Sequence, residues 1–323
     1  MIKILLVLSA ILLQGSLTYC QAGQTDLPVL KGPYLGQKPP GMTPELFAPG
    51  IISTPDKNEF CASFSPNGME FYFNRGMKIM VCLLKDGQWS SPEPVSFSAG
   101  LPAHEAHIPF DNKKVFWGWF KDGYGIYYSD RILDGWSEAK SAGMEGRGFS
   151  VSSDRNGNLY ITNDGPGQAP CIAKIVEKDG VFVNMIAIEG EVNNTVGVEN
   201  AKGFRNMSHP GISPDGSYML FDCNGGSHLW VTYHMADGRW SEAVDLSKHG
   251  IDKEFGIPTV SRDGKYIFLS GNGDIYWVSA RIVEELKAEK LESKENSSEK
   301  NKKQARYPKK HAEKIFTAET KNE

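Results

Sequence analysis

Seven charged or imidazole side chains recur at one kind of place in this sequence, shortly before a tight turn: Glu59, His104, Glu105, His107, Arg147, His209 and Glu254. Carboxylates and imidazoles gathered in a partly desolvated site can exchange protons, hold a divalent ion or grip a polar ligand, because burial and neighbouring charge move their pKa values. Glu105, His107 and His209 are the set whose ligand types suit zinc or a similar ion. His104-Glu105-Ala106-His107 is not H-E-x-x-H, whose helical spacing puts two imidazoles on one face. On a strand, His104 and His107 point to opposite sides while Glu105 and His107 share one. Paired carboxylates for glycoside hydrolysis would need Glu59, Glu105 or Glu254 to face each other. Trp117, Trp119 and Tyr124 suit either a sugar-stacking platform or packing between sheets. The same seven residues could instead be satisfied by pairing among themselves. No phosphate loop, dinucleotide fingerprint or Ser-His-Asp signature is present, so no cofactor is expected apart from that ion.

What must position them is a repeated pair of strands. In Ile212-Ser213-Pro214-Asp215-Gly216-Ser217-Tyr218-Met219-Leu220-Phe221, Pro214 presets φ and Asp215-Gly216 completes the turn. An apolar, aromatic-rich run of strand length then follows. The unit recurs at Ser65-Pro66-Asn67-Gly68, Pro109-Phe110-Asp111-Asn112, Ser153-Asp154-Arg155-Asn156-Gly157 and Ser261-Arg262-Asp263-Gly264. Anchored on Gly68, Asn112, Gly157, Gly216 and Gly264, the spacings are 44, 45, 59 and 48, the period of a four-stranded propeller blade with one insertion around 190–206. Asp86-Gly87-Gln88-Trp89, Asp134-Gly135-Trp136 and Asp237-Gly238-Arg239-Trp240 mark the outermost strand of three units, and Asp179-Gly180-Val181-Phe182 is a weaker copy.

The fifth unit lacks this outer strand. Pro44-Glu45-Leu46-Phe47-Ala48-Pro49 can supply it from the opposite end of the chain and close the ring. The expectation is an all-β chain with a single propeller of five four-stranded blades, a sixth being short of residues. In each blade the innermost strand precedes the turn and lines the central channel, which places the seven candidates there.

The S-P-D/N-G turn with its aromatic strand resembles the WD-like repeats of bacterial TolB-like propeller proteins. Tyr34-Leu35-Gly36-Gln37 followed by Pro44-Glu45-Leu46-Phe47 also looks like the start of exported proteins of that type. The resemblance covers residues 34–283. It implies an exported, non-catalytic propeller that binds a protein or a glycan, and its turns carry no catalytic signature.

The remaining features set bounds on that reading. Lys3 and the apolar run 4–13 are the start of a signal peptide, with cleavage after Ala22. Leu17-Thr18-Tyr19-Cys20 is similar to a degraded lipobox, so a lipid on Cys20 is the one membrane attachment the sequence offers. The divisions are then a signal peptide 1–22, a lead-in 23–43, the propeller 44–283 and a charged tail 284–323 too polar to bury a core. Export places the chain in the periplasm or outside the cell, and a monomer is expected. Cys61, Cys82, Cys171 and Cys223 are spaced as buried free thiols rather than a zinc set. A formal charge of −4 argues against nucleic acid. The leading expectation is a non-enzymatic binder of a protein, or of a cell-envelope or dietary glycan, at the channel mouth. The alternative is a polysaccharide lyase or glycoside hydrolase using the channel residues.

Overall fold

A computed structural model describes residues 30–119, 125–143, 148–165, 169–178, 181–190, 192–194, 206–223 and 227–288. The signal peptide with Cys20, Tyr124, Arg147 and the tail beyond 288 lie outside the described residues. Those described form five antiparallel blades. Their inner strands are Glu59–Phe64, Ala103–His107, Phe149–Ser153, Met207–Ile212 and Gly256–Val260. Blade 5 takes its fourth strand, Glu45–Leu46, from the N-terminal side, with Leu46 opposite Tyr276. The ring is closed as the sequence predicts.

The S-P-D-G chemistry builds each turn in the expected way. Ser213 Oγ donates to Asp215 Oδ1 at 2.8 Å, and the same carboxylate oxygen accepts the Ser217 N–H at 3.0 Å. Gly216 sits at φ +73°, a region open to glycine and strained for most other residues. Ser261 and Asp263 repeat the arrangement in blade 5, and Ser65 with Asn67 in blade 1.

Apolar side chains of adjacent sheets fill the space between blades. Phe47, Phe64, Phe71, Phe268 and Trp277 form the seam between blades 5 and 1. Trp117 and Trp119 are buried between blades 1 and 2, which settles them as packing residues and not a sugar platform. The four cysteines are free, and Cys61, Cys82 and Cys223 are buried. A helix over 281–288 lays Ile282, Val283 and Leu286 on the seam of blades 4 and 5, so the packed wall runs past residue 283.

All five inner strands break register with their neighbours at the same point. The residue at the break has positive φ in every blade: Cys61, Glu105, Ser150, His209 and Ile257, between +46° and +60°. Each is a β-bulge, which re-aims side chains at the cost of the ladder bond there. The released N–H is met by a side chain of the preceding blade. Cys61 donates to Ser270 Oγ (3.1 Å), Glu105 to Asn74 Oδ1 (2.8 Å), His209 to Thr162 Oγ1 (2.8 Å) and Ile257 to Asp222 Oδ2 (2.7 Å). In blade 2 the matching position, opposite His104, is Gly118, which has no side chain to offer. A left-handed non-glycine residue costs roughly 1–2 kcal/mol, an amount that a well-made buried hydrogen bond offsets.

Two positions past the His209 bulge, Gly211 lies against blade 5. A Cβ there would meet the Pro258 carbonyl oxygen at 2.5 Å. Gly211→Ala is expected to force the two inner strands apart and lower stability by about 1–3 kcal/mol. A thermal melt checks this, and an unchanged Tm would show that the strands part freely.

Candidate functional site

The bulges decide which of the seven candidates meet. Strict strand alternation would put Glu105 beside His107. The left-handed turn at Glu105 breaks that alternation and sends its carboxylate elsewhere. Glu105 Oε1 lies 3.2 Å from His104 Nδ1 and 3.5 Å from His209 Nε2, a contact between blade 2 and blade 4. His209 Nδ1 lies 2.9 Å from Asp222, whose Oδ2 also accepts the Ile257 N–H of blade 5. The Phe149 ring of blade 3 packs against the His209 imidazole at 5.1 Å between centroids. One buried polar cluster thus ties four blades together.

Its electrostatics follow from that geometry. Burial works against an imidazolium at His209, but Asp222 and Glu105 outweigh it and push its pKa up to about 10. Burial likewise opposes the Glu105 carboxylate, yet His104 and His209 hold it well below the usual range. At Asp222 burial prevails over His209 and the Ile257 N–H, and the pKa is raised. Near neutral pH His209 is therefore a cation with both ring N–H groups aimed at carboxylates.

His107 goes its own way. Its Nε2 lies 2.8 Å from Ser153 Oγ in blade 3, and burial together with nearby Arg262 keeps it neutral. The set Glu105, His107 and His209 therefore does not converge, and the described residues contain no group of three side chains placed to hold a metal.

Glu59 is buried, with Oε1 taken by Arg75 Nε (2.7 Å) and Thr54 Oγ1 (2.7 Å). Arg75 also donates to the Ile51 and Ile52 carbonyls, so this pair staples blade 1 to the segment behind the closing strand. Glu254 is on the surface and accepts from Asn272 Nδ2 at 3.0 Å. Glu59 and Glu254 border one open basin of about 300 Å3.

Two residues that matter here were not among the seven. Asp222 is on the second strand of blade 4, and a charged residue inside the apolar run Tyr218–Cys223 is the signal that could have found it. Arg262 belongs to the last turn and looks like a surface residue in sequence. Instead it reaches into the channel, where its Nε donates to the Phe64 carbonyl at 2.7 Å and its Nη2 to that of Ile108. Burial lowers its pKa to about 9. The guanidinium groups of Arg262 and Arg155 lie 4.8 and 5.5 Å from the Phe110 ring, and Arg155 donates to the Arg262 carbonyl. These three residues stop the turn-side mouth. The cavity left inside, about 30 Å3, touches all five inner strands and has room for little more than one water molecule.

No protein-family model matches the chain, and no curated protein matches it. Among solved structures it is similar to a putative TolB from Agrobacterium tumefaciens, at 18% identity over 69% of this chain and 73% of that one, with a TM-score of 0.47. TolB from Acinetobacter baumannii matches at 14% identity over 68% of this chain and 54% of that one, TM-score 0.42. A gluconolactonase from Xanthomonas campestris matches at 9% identity over 77% and 96%, TM-score 0.44. What the chain has in common with these structures is the β-propeller fold.

Proposed function

We propose that the chain is an exported, non-catalytic propeller that binds a protein partner on the outside of its ring. The observation that supports this most is the closed channel. Among the described residues Glu105, His209 and Asp222 pair with one another, His107 and Arg262 are engaged by Ser153 and by backbone carbonyls, and the cavity of about 30 Å3 is too small for a sugar ring. Of the groups that could serve a lyase or hydrolase there, Glu105 and His209 hold each other as an ion pair and buried His107 is engaged by Ser153. If a glycan binds, the open basins have space for it: one of about 490 Å3 beside Arg155, Asp215 and Tyr233, and that beside Glu59 and Glu254. No described helix is long and apolar enough to cross a membrane. Export is part of the same proposal, with residues 1–22 removed or, if Cys20 carries a lipid, with the mature chain beginning at that cysteine, and the mass of the mature N-terminus reports which.

The test is saturable binding of the purified protein to immobilised cell-envelope fractions. The expected result is binding abolished by proteinase and unaffected by periodate oxidation of glycans, with no turnover across a panel of polysaccharides. Polysaccharide cleavage that disappears in Glu254→Ala or Glu59→Gln would overturn the proposal.

A further inference from the structure

A carboxylate oxygen taken out of water needs a hydrogen bond or a positive charge in its place. Among the described residues three buried carboxylate oxygens accept no hydrogen bond: Glu105 Oε2, Glu59 Oε2 and Asp274 Oδ1. Glu105 belongs to the cluster around the His209 imidazolium and is compensated there. Glu59 and Asp274 have no such neighbour in that cluster. Both lie at the end of their strands away from the S-P-D-G turns, Glu59 opening the inner strand Glu59–Phe64 and Asp274 opening Asp274–Ser279.

Closure of the ring brings the two together. The Glu59 N–H donates to the Gly273 carbonyl at 2.8 Å, so the first inner strand begins one residue from Asp274. Asp274 pairs with Gly271 across the hairpin turn Asn272-Gly273. At that turn a Cβ on Gly273 would lie 3.7 Å from the Lys57 carbonyl oxygen and 3.8 Å from Asn58 Oδ1. Arg75 and Thr54 both act on Glu59 Oε1 and leave Oε2 over, although Glu59 has no exposed surface. Burial raises the Asp274 pKa and the Glu59 charge raises it further, so the carboxylates sense each other. Asn58, Glu59, Asn272 and Gly273 line the open basin of about 300 Å3, through which water and ions reach the turn.

We propose that Glu59 Oε2 and Asp274 Oδ1 hold a calcium ion at the Asn272-Gly273 turn, where blade 5 meets blade 1. The donor set selects the ion. Every group at the turn is a hard oxygen: two carboxylates, the Asn58 amide and the Lys57 carbonyl, with water from the basin for the rest. Zinc asks for imidazole or thiolate, and no third His, Cys, Asp or Glu joins the pair among the described residues. Magnesium demands a tight octahedron and sheds its water reluctantly, which an irregular set of protein oxygens does not suit. Two carboxylates, one of them shared with Arg75, make a weak site, with a dissociation constant on the order of 0.1–1 mM. The ion joins the first inner strand to the last hairpin, so it acts as a clasp on the ring and not as a reacting centre. This holds whichever partner the ring binds.

Calorimetric titration of the purified, chelator-stripped protein with calcium chloride near neutral pH should show a single ion bound per chain. Calcium at about 10 mM should raise Tm by a few °C, and magnesium at the same concentration by much less. Asp274→Asn keeps the shape of the side chain and removes one of two neighbouring charges. Without calcium it should melt no lower than the wild type; with calcium it should lose the shift, its affinity weakened at least about tenfold. Glu59→Gln also disturbs Arg75, so it is compared with itself, with and without calcium, and should show no shift either. A wild-type protein with neither heat nor shift up to about 20 mM calcium overturns the proposal and leaves the two oxygens to a proton or a water molecule. A calcium shift that Asp274→Asn retains, or that magnesium matches, overturns it too.

Discussion

Alanine at Glu105 is expected to lower the stability of the ring by about 3–5 kcal/mol, because it leaves a buried imidazolium with half its counter-charge. His209 then has only Asp222, and the contact between blades 2 and 4 is gone. Replacing both members, as Glu105→Leu with His209→Leu, should cost less than the two single changes added together, since the Glu105–His209 contact is lost only once, although Asp222 loses its imidazolium whenever His209 is replaced. Urea unfolding in a double-mutant cycle reads the difference, and strict additivity would show that the pair is not coupled.

The same cluster sets a pH window. His209 has its folded pKa raised from 6.5 to about 10, so its contribution is fully present below about 6.5 and is lost as pH rises towards 10. Glu105 has its folded pKa lowered from 4.5, so its contribution is present above that value and is lost as pH falls further. Asp222, raised by burial, has the opposite sign and softens the acid arm. Stability should therefore peak between about pH 5 and 6.5 and decline on the alkaline side by a few kcal/mol. Melting curves of His209→Gln should lose most of that alkaline slope. An equally steep slope in the variant would assign it to other groups.

Phe47→Ala should be comparably damaging, at about 3–5 kcal/mol. The ring is fully buried and lies 5.0–5.3 Å, between centroids, from Phe71, Phe268 and Trp277, which belong to the first and last blades. Its N–H donates to the Ile275 carbonyl at 2.8 Å. Removing the ring empties the seam that joins the two ends of the chain. Leu46→Ala, next door but on the surface, should cost well under about 1 kcal/mol. Similar losses from the two substitutions would mean that the closing strand, and not its anchor, holds the ring shut.

Most of the scaffold could be read from the chain, because its signals are local and repeated. Pro214, Asp215 and Gly216 declare their turn within four residues, and the interval between anchors declares the blade. The closing strand was legible because blade 5 visibly lacks a fourth one. The cluster was legible only in part. His104, Glu105 and His209 lie where the inner strands predict, but which of them touch depends on five bulges. A bulge at Cys61 or Ile257 has no composition of its own; it exists because the preceding blade offers Ser270 or Asp222 to the freed amide. Arg262 was missed for a similar reason. Its acceptors are the carbonyls of Phe64 and Ile108, far away in sequence.

Those four inter-blade amide bonds all point the same way round the ring, every blade but the third leaning on its predecessor. Blade 1 alone has a predecessor made after it: Cys61 awaits Ser270, 209 residues later. The newest-made end therefore completes the oldest, and a chain halted at three or four blades exposes that amide, Phe47 and the closing strand together. Such a fragment should behave as a collapsed, aggregation-prone species and not as a shorter propeller, and the intact ring should melt in one transition.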